Sequence, residues 1–282
     1  MLLELNHMAM VVSDLTACRA LYGGPLGFEE AGREGDASWY RVGPTLVELR
    51  QDRGNGPPVD EEARPAISHI ALYVDSIDRA YAELQAAQAA LVGPPGATAF
   101  GHRNMQRSLL AFQDPNGFSV QVSETIDPRE HLEARKQAKG AMAAEAGESE
   151  LFRGIDHIAM YCTDYAATRS FYADALGLDE FFHSTTREEG EIVAPGFEQG
   201  AFAVGGTDIE MATDETWAAV RPGVVQQLGF PTADVERAYE AAIDSGLETQ
   251  GRPAEWAPCP SIRQRAFRLR DPDGLSIQIS QA

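Results

Sequence analysis

Leu5-Asn6-His7-Met8-Ala9-Met10 and Ile155-Asp156-His157-Ile158-Ala159-Met160 are two copies of one short motif. A third, looser copy, Ile67-Ser68-His69-Ile70-Ala71-Leu72, lies between them. Each copy opens a longer unit that reads as an alternating strand, a turn containing aspartate, an amphipathic helix and further strands. A histidine that recurs in one slot of a repeated strand indicates a site that arose by duplication.

The repetition extends well beyond the motif. The segment from His7 to Phe28 aligns with His157 to Leu178, and about 150 residues separate the two. The segment from His69 to Gln121 aligns in the same way with Gln227 to Gln278. The chain therefore consists of two homologous modules, each built from two related halves.

Length and composition agree with two globular modules, because 282 residues with 44% hydrophobic content can form two ordinary cores. We expect no membrane contact, since no apolar stretch is long enough to cross a bilayer. The start, Met1-Leu2-Leu3-Glu4, does not resemble a secretory signal. Three scattered cysteines fit a reduced compartment. The expected location is the cytoplasm.

The acidic balance of the chain bears on its partners. A formal charge of −20 would repel phosphate backbones, so we expect no nucleic-acid partner.

The segment 127–150 is rich in Ala, Glu, Lys and Arg and poor in large apolar residues, which predicts a partly helical linker. The predicted modules are 1–126 and 151–282.

Local patterns predict the order βαβββ in each half. In the first half the strand runs from Leu3 to Val12 and the helix from Asp14 to Tyr22, and a hairpin over 39–49 follows. In the second half we predict a strand over 67–74, a helix from Ile77 to Leu91, and two strands around the turn Asp114-Pro115-Asn116-Gly117. The predicted fold class is α+β.

These features resemble the vicinal oxygen chelate superfamily, which includes glyoxalase I, extradiol dioxygenases, methylmalonyl-CoA epimerase and bleomycin-binding proteins. The resemblance rests on His7 with Asp14, on Leu26-Gly27-Phe28, on His69 with Ala71, and on the Asp-Pro-Asn-Gly turn, all repeated in the second module. It implies two tandem modules, each of two βαβββ repeats that form a cupped mixed sheet. As a statement of reaction it is weak, because one scaffold hosts many chemistries.

In that family the metal ligands come from the first and last strands of each half. Carried over to the first module, the resemblance implies His7, Glu48, His69 and Gln121 as ligands of one divalent ion, which could be Zn, Mn, Fe, Co or Ni. In the matching slots of the second module a second amide replaces one of the two histidines, and there we expect a degenerate site. These second-module positions are His157, Glu210, Gln227 and Gln278.

Glu48 could be a ligand or, once released from the ion, the catalytic base. His102 could be a second acid or base. Further candidates for contact with substrate are Trp39, Tyr40, Phe100, Arg103 and Phe112.

Three functions stay open at this point. The first is a metal-dependent isomerase, epimerase or lyase that transfers a proton on a small molecule with vicinal oxygens. The second is a non-enzymatic protein that binds an antibiotic or metabolite. The third is an extradiol-type ring-cleaving dioxygenase, which is less favoured because both last strands carry an amide, Gln121 or Gln278, where a carboxylate is needed. The chain could act as one pseudo-dimer of its modules or associate further into a homodimer.

Overall fold

The computed structural model describes residues 4–53, 67–100, 105–128, 151–186, 195–213, 225–259 and 261–281, with 137, 138, 140, 141 and 144. The predicted linker over 127–150 therefore lies almost entirely outside the described residues. Within them, no helix is both long enough and apolar enough to span a membrane.

Seventeen strands, four α-helices and one π-helical turn form four successive groups that correspond to the four predicted halves, and residues 137, 138, 140, 141 and 144 between the second and third groups are also helical. The first group is β1 (His7–Val12), α1 (Leu15–Tyr22), β2 (Glu29–Glu34), β3 (Ala37–Val42) and β4 (Thr45–Gln51). The second is β5 (Ile67–Val74), α2 (Ile77–Ala86), β6 (Ala90–Leu91), β7 (Gly96–Phe100), β8 (Met105–Gln113) and β9 (Ser119–Pro128). The third is β10 (Phe152–Tyr161), α3 (Tyr165–Arg169) with a π-helical turn over Ser170–Ala175, β11 (Asp179–Ser184), β12 (Gln199–Val204) and β13 (Thr207–Ala212). The fourth is β14 (Val225–Pro231), α4 (Val235–Asp244), β15 (Ala254–Cys259), β16 (Ile262–Arg270) and β17 (Ser276–Gln281).

These strands form two mixed sheets. Sheet A has the order β15-β16-β17-β14-β1-β4-β3-β2, and sheet B has the order β11-β12-β13-β10-β5-β9-β8-β6, with β7 paired to β8. The predicted α+β class, with two curled sheets built from βαβββ repeats, is confirmed.

The halves that share a sheet come from different modules. Sheet A joins the first half to the fourth through the antiparallel pair β1 and β14, and sheet B joins the second half to the third through β5 and β10. Each sheet is thus formed by one half of each module, and not by the two halves of one module. The location of any site follows from this crosswise pairing.

The aspartate turns start the helices. Asp14 accepts a hydrogen bond from the backbone N–H of Ala17 at 2.9 Å, and Asp164 accepts one from that of Ala167 at 3.0 Å. These are N-caps, which supply a partner for a helical N–H that would otherwise lack one. Helix α2 ends at Ala86, earlier than predicted, because the segment after it forms the short strand β6.

Each central strand has one face toward the helices and one face away from them. Met8 and Met10 of β1 are fully buried on the helix side, where they join Tyr22 in the main core. His7 and Ala9 alternate with them and therefore lie on the opposite face. The faces of the two sheets that point away from the helices carry the candidate functional residues.

Candidate metal centre

Strand registers set which side chains meet on these faces. In sheet B, Ala159 lies opposite both His69 and Glu210, while Ala71 lies opposite His157 and Gln121. In sheet A, Ala9 lies opposite Gln227 and Glu48, and Gly229 opposite His7 and Gln278. Residues paired across strands share a face, so each sheet presents four polar side chains around one centre. We call the set His7, Glu48, Gln227 and Gln278 site A, and the set His69, Gln121, His157 and Glu210 site B.

The predicted grouping of His7, Glu48, His69 and Gln121 around one ion is corrected by this arrangement. His7 and Glu48 lie in sheet A, whereas His69 and Gln121 lie in sheet B. The cause is the crosswise pairing of the halves. His69 instead meets His157, so the two-histidine site combines residues from both modules.

The two histidines of site B point their Nε2 atoms at each other. The Nε2 atoms of His69 and His157 lie 3.2 Å apart, and the rings meet edge to face with centroids 5.3 Å apart. Two nitrogens bound to one ion at about 2.1 Å and at angles of about 90 to 110° lie about 3.0 to 3.4 Å apart. The observed spacing suits an N–H···N hydrogen bond between the rings, and it would also suit two ligands of one ion.

The Nδ1 atoms of both rings are held by the preceding residue. Nδ1 of His157 lies 2.8 Å from Oδ2 of the fully buried Asp156, and Nδ1 of His69 lies 3.2 Å from Oγ of Ser68. A carboxylate only accepts, so Asp156 places the proton of His157 on Nδ1 and leaves a lone pair on Nε2. The hydroxyl of Ser68 can donate or accept and therefore suits either tautomer of His69.

The other two members of site B are oxygen donors. Glu210 is 3% exposed, and the buried Oε1 of Gln121 has no hydrogen-bond partner among the described residues. Asp208, fully buried, lies opposite His157 and adds a second carboxylate to the same face. No three acidic, histidine or cysteine side chains of the described residues converge at metal-binding distances. The histidine pair and the oxygen donors beside it have the ligand chemistry that suits a divalent ion.

Site A is organised around an ion pair. Nε2 of His7 lies 3.4 Å from Oε2 of Glu48, and Oε1 of Glu48 accepts from both Nε and Nη2 of Arg50, with 2.9 Å to Nε. Burial alone would raise the pKa of Glu48, but contact with His7 and the charge of Arg50 outweigh it and hold this pKa below its usual value. Glu48 is therefore an ionised carboxylate that is already neutralised by a cation.

The rest of site A is amide and indole. Nε2 of Gln227 donates to Oε1 of Gln278 at 2.9 Å and contacts Nδ1 of His7 at 3.3 Å. The ring of Trp256 packs on His7 with centroids 4.9 Å apart. Trp39 lies opposite Glu48 and belongs, with Trp256, to a small apolar cluster separate from the main core.

The remaining predicted site residues divide into two groups. Tyr40 and Phe112 lie on the helix side of their sheets in the main core, which removes both from the predicted substrate-binding set. Their strand neighbours, Trp39 and Ala111, occupy the other face instead. Three candidates cannot be placed: His102 and Arg103 lie outside the described residues, and for Phe100 the description covers only the backbone of its strand.

Sequence reasoning missed Asp156, Asp208 and Arg50. Asp156 directly precedes His157, and an acidic residue beside a candidate ligand is a recognisable signal for an orienting partner. Arg50 occurs two residues after Glu48, so on a strand the two share a face and can pair.

Comparison with known proteins places the chain among relatives with the same architecture. The model of the glyoxalase/bleomycin resistance protein/dioxygenase superfamily matches residues 4–122 and 154–279. The uncharacterized protein YwkD of Bacillus subtilis strain 168 is 24% identical over 131 residues, which span 46% of this chain and 97% of that protein.

Two solved structures share the fold over nearly the whole chain. Glyoxalase I from Zea mays has a TM-score of 0.66 and 18% identity, covering 99% of this chain and 92% of that one. A Bacillus subtilis protein named "putative dioxygenase" has a TM-score of 0.66 and 13% identity, covering 99% of this chain and 85% of that one. Identities this low establish the shared fold alone. Because the family model matches both modules, the chain belongs to the glyoxalase/bleomycin resistance protein/dioxygenase superfamily.

Proposed function

We propose that the protein is a divalent-metal-dependent enzyme that transfers a proton on a small molecule with adjacent oxygen atoms, as an isomerase, epimerase or lyase. Its centre is site B. The observation that carries the proposal is the 3.2 Å separation of the Nε2 atoms of His69 and His157, each with its Nδ1 held by a neighbour.

His69, His157, Glu210 and Gln121 would hold the ion. A bound divalent ion supplies positive charge next to the substrate oxygens, which lowers the cost of the negative charge that develops when a neighbouring C–H proton leaves. The ion could be Zn, Mn, Fe, Co or Ni, since imidazole and carboxylate oxygen suit all of these.

Glu210, in the position that Glu48 occupies in site A, would act as the base of site B once it is released from the ion. Its carboxylate lies on the same face as both histidines and is almost fully buried. A carboxylate shielded from water can accept a proton from carbon and return it to the same or a neighbouring carbon. Asp156 would keep His157 in the tautomer that leaves Nε2 free for the ion.

Substrate access distinguishes this site from site A. His69 and Gln121 are half-buried, whereas all four side chains of site A are buried. Ala201 lies opposite Glu210, where site A has Trp39 opposite Glu48. Site B thus has a small side chain where site A has an indole.

Exchange of carbon-bound hydrogen tests the proposed reaction. The protein, stripped of metal and reloaded in turn with Zn²⁺, Mn²⁺, Ni²⁺ or Co²⁺, would be incubated in D₂O with small α-hydroxy ketones and 2-oxo acids. We expect deuterium incorporation, read by NMR, that depends on the ion and is lost in Glu210→Gln. Binding of a probe without exchange would instead support a non-enzymatic small-molecule binder.

A ring-cleaving oxygenase is the second candidate. Two histidines and one carboxylate on one face, His69, His157 and Glu210, are the ligand types of non-haem Fe²⁺ oxygenases. The carboxylate, absent from the last strand of the second half, is supplied here by β13 of the third half. Oxygen uptake with catechols after anaerobic loading with Fe²⁺ would support this candidate, and its absence would remove it.

A further inference from the structure

We infer that the two end strands of sheet A, β2 and β15, form a seam that acts as a gate, and that site A is reached from solvent only when this seam opens. The seam consists of Ala31 and Gly32 in β2, Cys259 in β15 and Ser261 directly after it. The inference goes beyond the proposed function, because that function is assigned to site B and the seam belongs to sheet A.

Side chains close the seam. Because β2 and β15 lie at opposite ends of the strand order, sheet A must curl until its ends meet. Oγ of Ser261 donates to the backbone oxygen of Ala31 at 3.0 Å, and Sγ of Cys259 lies 3.2 Å from the same Oγ. The hydroxyl has one proton, which goes to Ala31, so the thiol donates the second bond. Neighbouring strands share ladders of backbone hydrogen bonds, whereas the described residues of β2 and β15 meet through these side-chain contacts.

The absence of a side chain at Gly32 permits the closed seam. A Cβ atom at this position would lie 2.8 Å from Sγ of Cys259 and 3.2 Å from Oγ of Ser261. The first distance is too short for a stable contact between carbon and sulfur. A larger residue at position 32 would therefore hold the two ends of the sheet apart.

Sheet B has the opposite distribution of volume. In sheet A, Gly32 on the end strand lies opposite Trp39. In sheet B, Phe182 on the end strand lies opposite Ala201, which occupies the place of Trp39. Sheet A thus has its small residue at the end strand and its large residue inside, and sheet B has the reverse. The close approach that Gly32 permits is a property of sheet A.

The closed seam covers site A. Cys259 belongs to a small apolar cluster with Trp39 and Ile262, which is separate from the main core. Trp256 packs against this cluster and on the ring of His7, with ring centroids 4.9 Å apart. The four side chains of site A are buried. A solute that approaches His7 from this side must first part the seam.

The closed state is weakly held. Nε1 of Trp39 is buried and has no hydrogen-bond partner among the described residues. An indole N–H only donates, and a buried donor without an acceptor costs at least as much free energy as one hydrogen bond contributes. The bond from Ser261 to Ala31 is therefore offset by the unpaired indole, which water can reach once the seam opens. Opening at this small cluster leaves the main core folded.

Alkylation of Cys259 measures the opening. The full chain, without added metal, would be treated with iodoacetamide, and peptide mass spectrometry would give the labelling rate of each cysteine relative to its rate in urea. Cys18 and Cys162, both in the main core, are internal references. In the parent we expect Cys259 to react more than about 10-fold faster than either reference, because local opening costs less than global unfolding.

Two variants should open the seam. Ser261→Ala removes the hydrogen bond across it and should raise the labelling rate of Cys259 about 3- to 10-fold, the change in an equilibrium that one hydrogen bond is worth. Gly32→Val should raise the rate further, because its Cβ atom crowds Sγ of Cys259. The matched control is Arg33→Val, next along β2, whose exposed side chain pairs with Glu30 and which should leave the rate unchanged. If Gly32→Val fails to fold, Ser261→Ala carries the test.

Hydrogen exchange at Trp39 shows whether the seam is the entrance to the interior. In ¹⁵N-labelled protein in D₂O, the signal of its indole N–H should disappear faster in Ser261→Ala, by the same factor as the rise in labelling at Cys259. Unchanged exchange at Trp39 would overturn the inference, since only the loop after β15 would then move.

Two further results would overturn the inference. A common labelling rate for all three cysteines in every variant would mean that only global unfolding exposes Cys259. Labelling of Cys259 in the parent at its rate in urea would mean that the seam is not closed in solution. None of these results depends on metal binding or proton transfer at site B, so failure of this inference and failure of the proposed function are distinguishable.

Discussion

Nε2 of His69 and Nε2 of His157 lie 3.2 Å apart, although 88 residues separate the two in sequence. In the absence of an ion this contact requires one ring to donate and the other to accept. Asp156 fixes His157 as the acceptor, so His69 is the donor and its Nδ1 accepts from Ser68. A bound ion would replace the shared proton, and Ser68 would then become the acceptor. The pair is therefore organised before any ion binds.

Removal of one ring should abolish tight metal binding. In His69→Ala we expect the affinity for Zn²⁺ to fall by more than about 100-fold, because loss of outer-shell partners alone costs about 10- to 100-fold. Competition with a chromophoric chelator measures this affinity. The matched control is Gln227→Ala, which removes the equivalent side chain of site A and should leave the affinity unchanged. Equal losses in both variants would contradict the assignment of the ion to site B.

Asp156 should act on the ion through His157. In Asp156→Asn, which reproduces the residue found at position 6, we expect about 10- to 100-fold weaker Zn²⁺ binding, because the carboxylate no longer fixes the proton on Nδ1. The histidine NMR signals of His157 should shift toward a mixture of tautomers, which a purely structural role would not cause. The reverse change, Asn6→Asp, serves as the control and should leave metal affinity unaffected.

The repeats were sufficient to predict the halves. The recurring His motif, the capping aspartates and the Asp-Pro turns are local features, and local hydrogen bonds decide the elements that they start or end. Asp14 caps α1, and Oδ1 of Asp114 accepts from the backbone N–H groups of Asn116 and Phe118, both as local chemistry requires. For this reason the order βαβββ could be read from the chain.

The pairing of the halves could not be read in the same way. A repeat shows which segments are alike, but not which of them pair. The sequence pattern of β1 is equally compatible with pairing to β5 of the same module and to β14 of the other module. The choice depends on long-range packing, such as the hydrogen bonds from the backbone N–H and Oγ of Ser13 to Oδ1 of Asn116, which tie the end of β1 to the turn before β9. The predicted ligands were therefore grouped around one centre, although His7 and Glu48 lie in sheet A and His69 and Gln121 lie in sheet B.

Tyr165 and Gly200 are a coupled pair that the first module replaces with Leu15 and Ser38. A Cβ atom on Gly200 would overlap Oη of Tyr165, which itself donates to Glu180 at 2.8 Å. We expect Gly200→Ser to lower the free energy of unfolding by about 1 to 3 kcal/mol, the usual range for overpacking. Tyr165→Leu should make the same substitution much less costly.

Urea unfolding of the parent, both single variants and the double variant gives the coupling energy directly. The control is Ser38→Gly in the first module, where Leu15 has no hydroxyl to clash and the main loss is the hydrogen bond from Arg19 to Oγ of Ser38. Additive effects of Gly200→Ser and Tyr165→Leu would show that the close approach is not what requires the glycine.

Stability should fall as pH rises through the titration of Asp271. Burial raises the pKa of this carboxyl from 3.8 to about 6, although Leu275, Tyr172 and Asp273 all donate hydrogen bonds to it. The folded protein thus holds this proton more tightly than the unfolded chain does. The resulting stability is complete below about pH 4 and is lost by about pH 6, and a difference of this size is worth about 3 kcal/mol.

Asp271→Asn mimics the protonated form and should remove this component. We expect the variant to lose less stability than the parent between pH 4 and pH 7, as measured by urea unfolding at several pH values. Asp114, whose pKa burial also raises, titrates in the same direction and remains in both proteins, so the difference between them isolates Asp271. Parallel pH profiles would mean that Asp271 ionises as easily in the folded protein as in the unfolded chain. Its three hydrogen-bond donors would then fully offset the desolvation of the carboxylate.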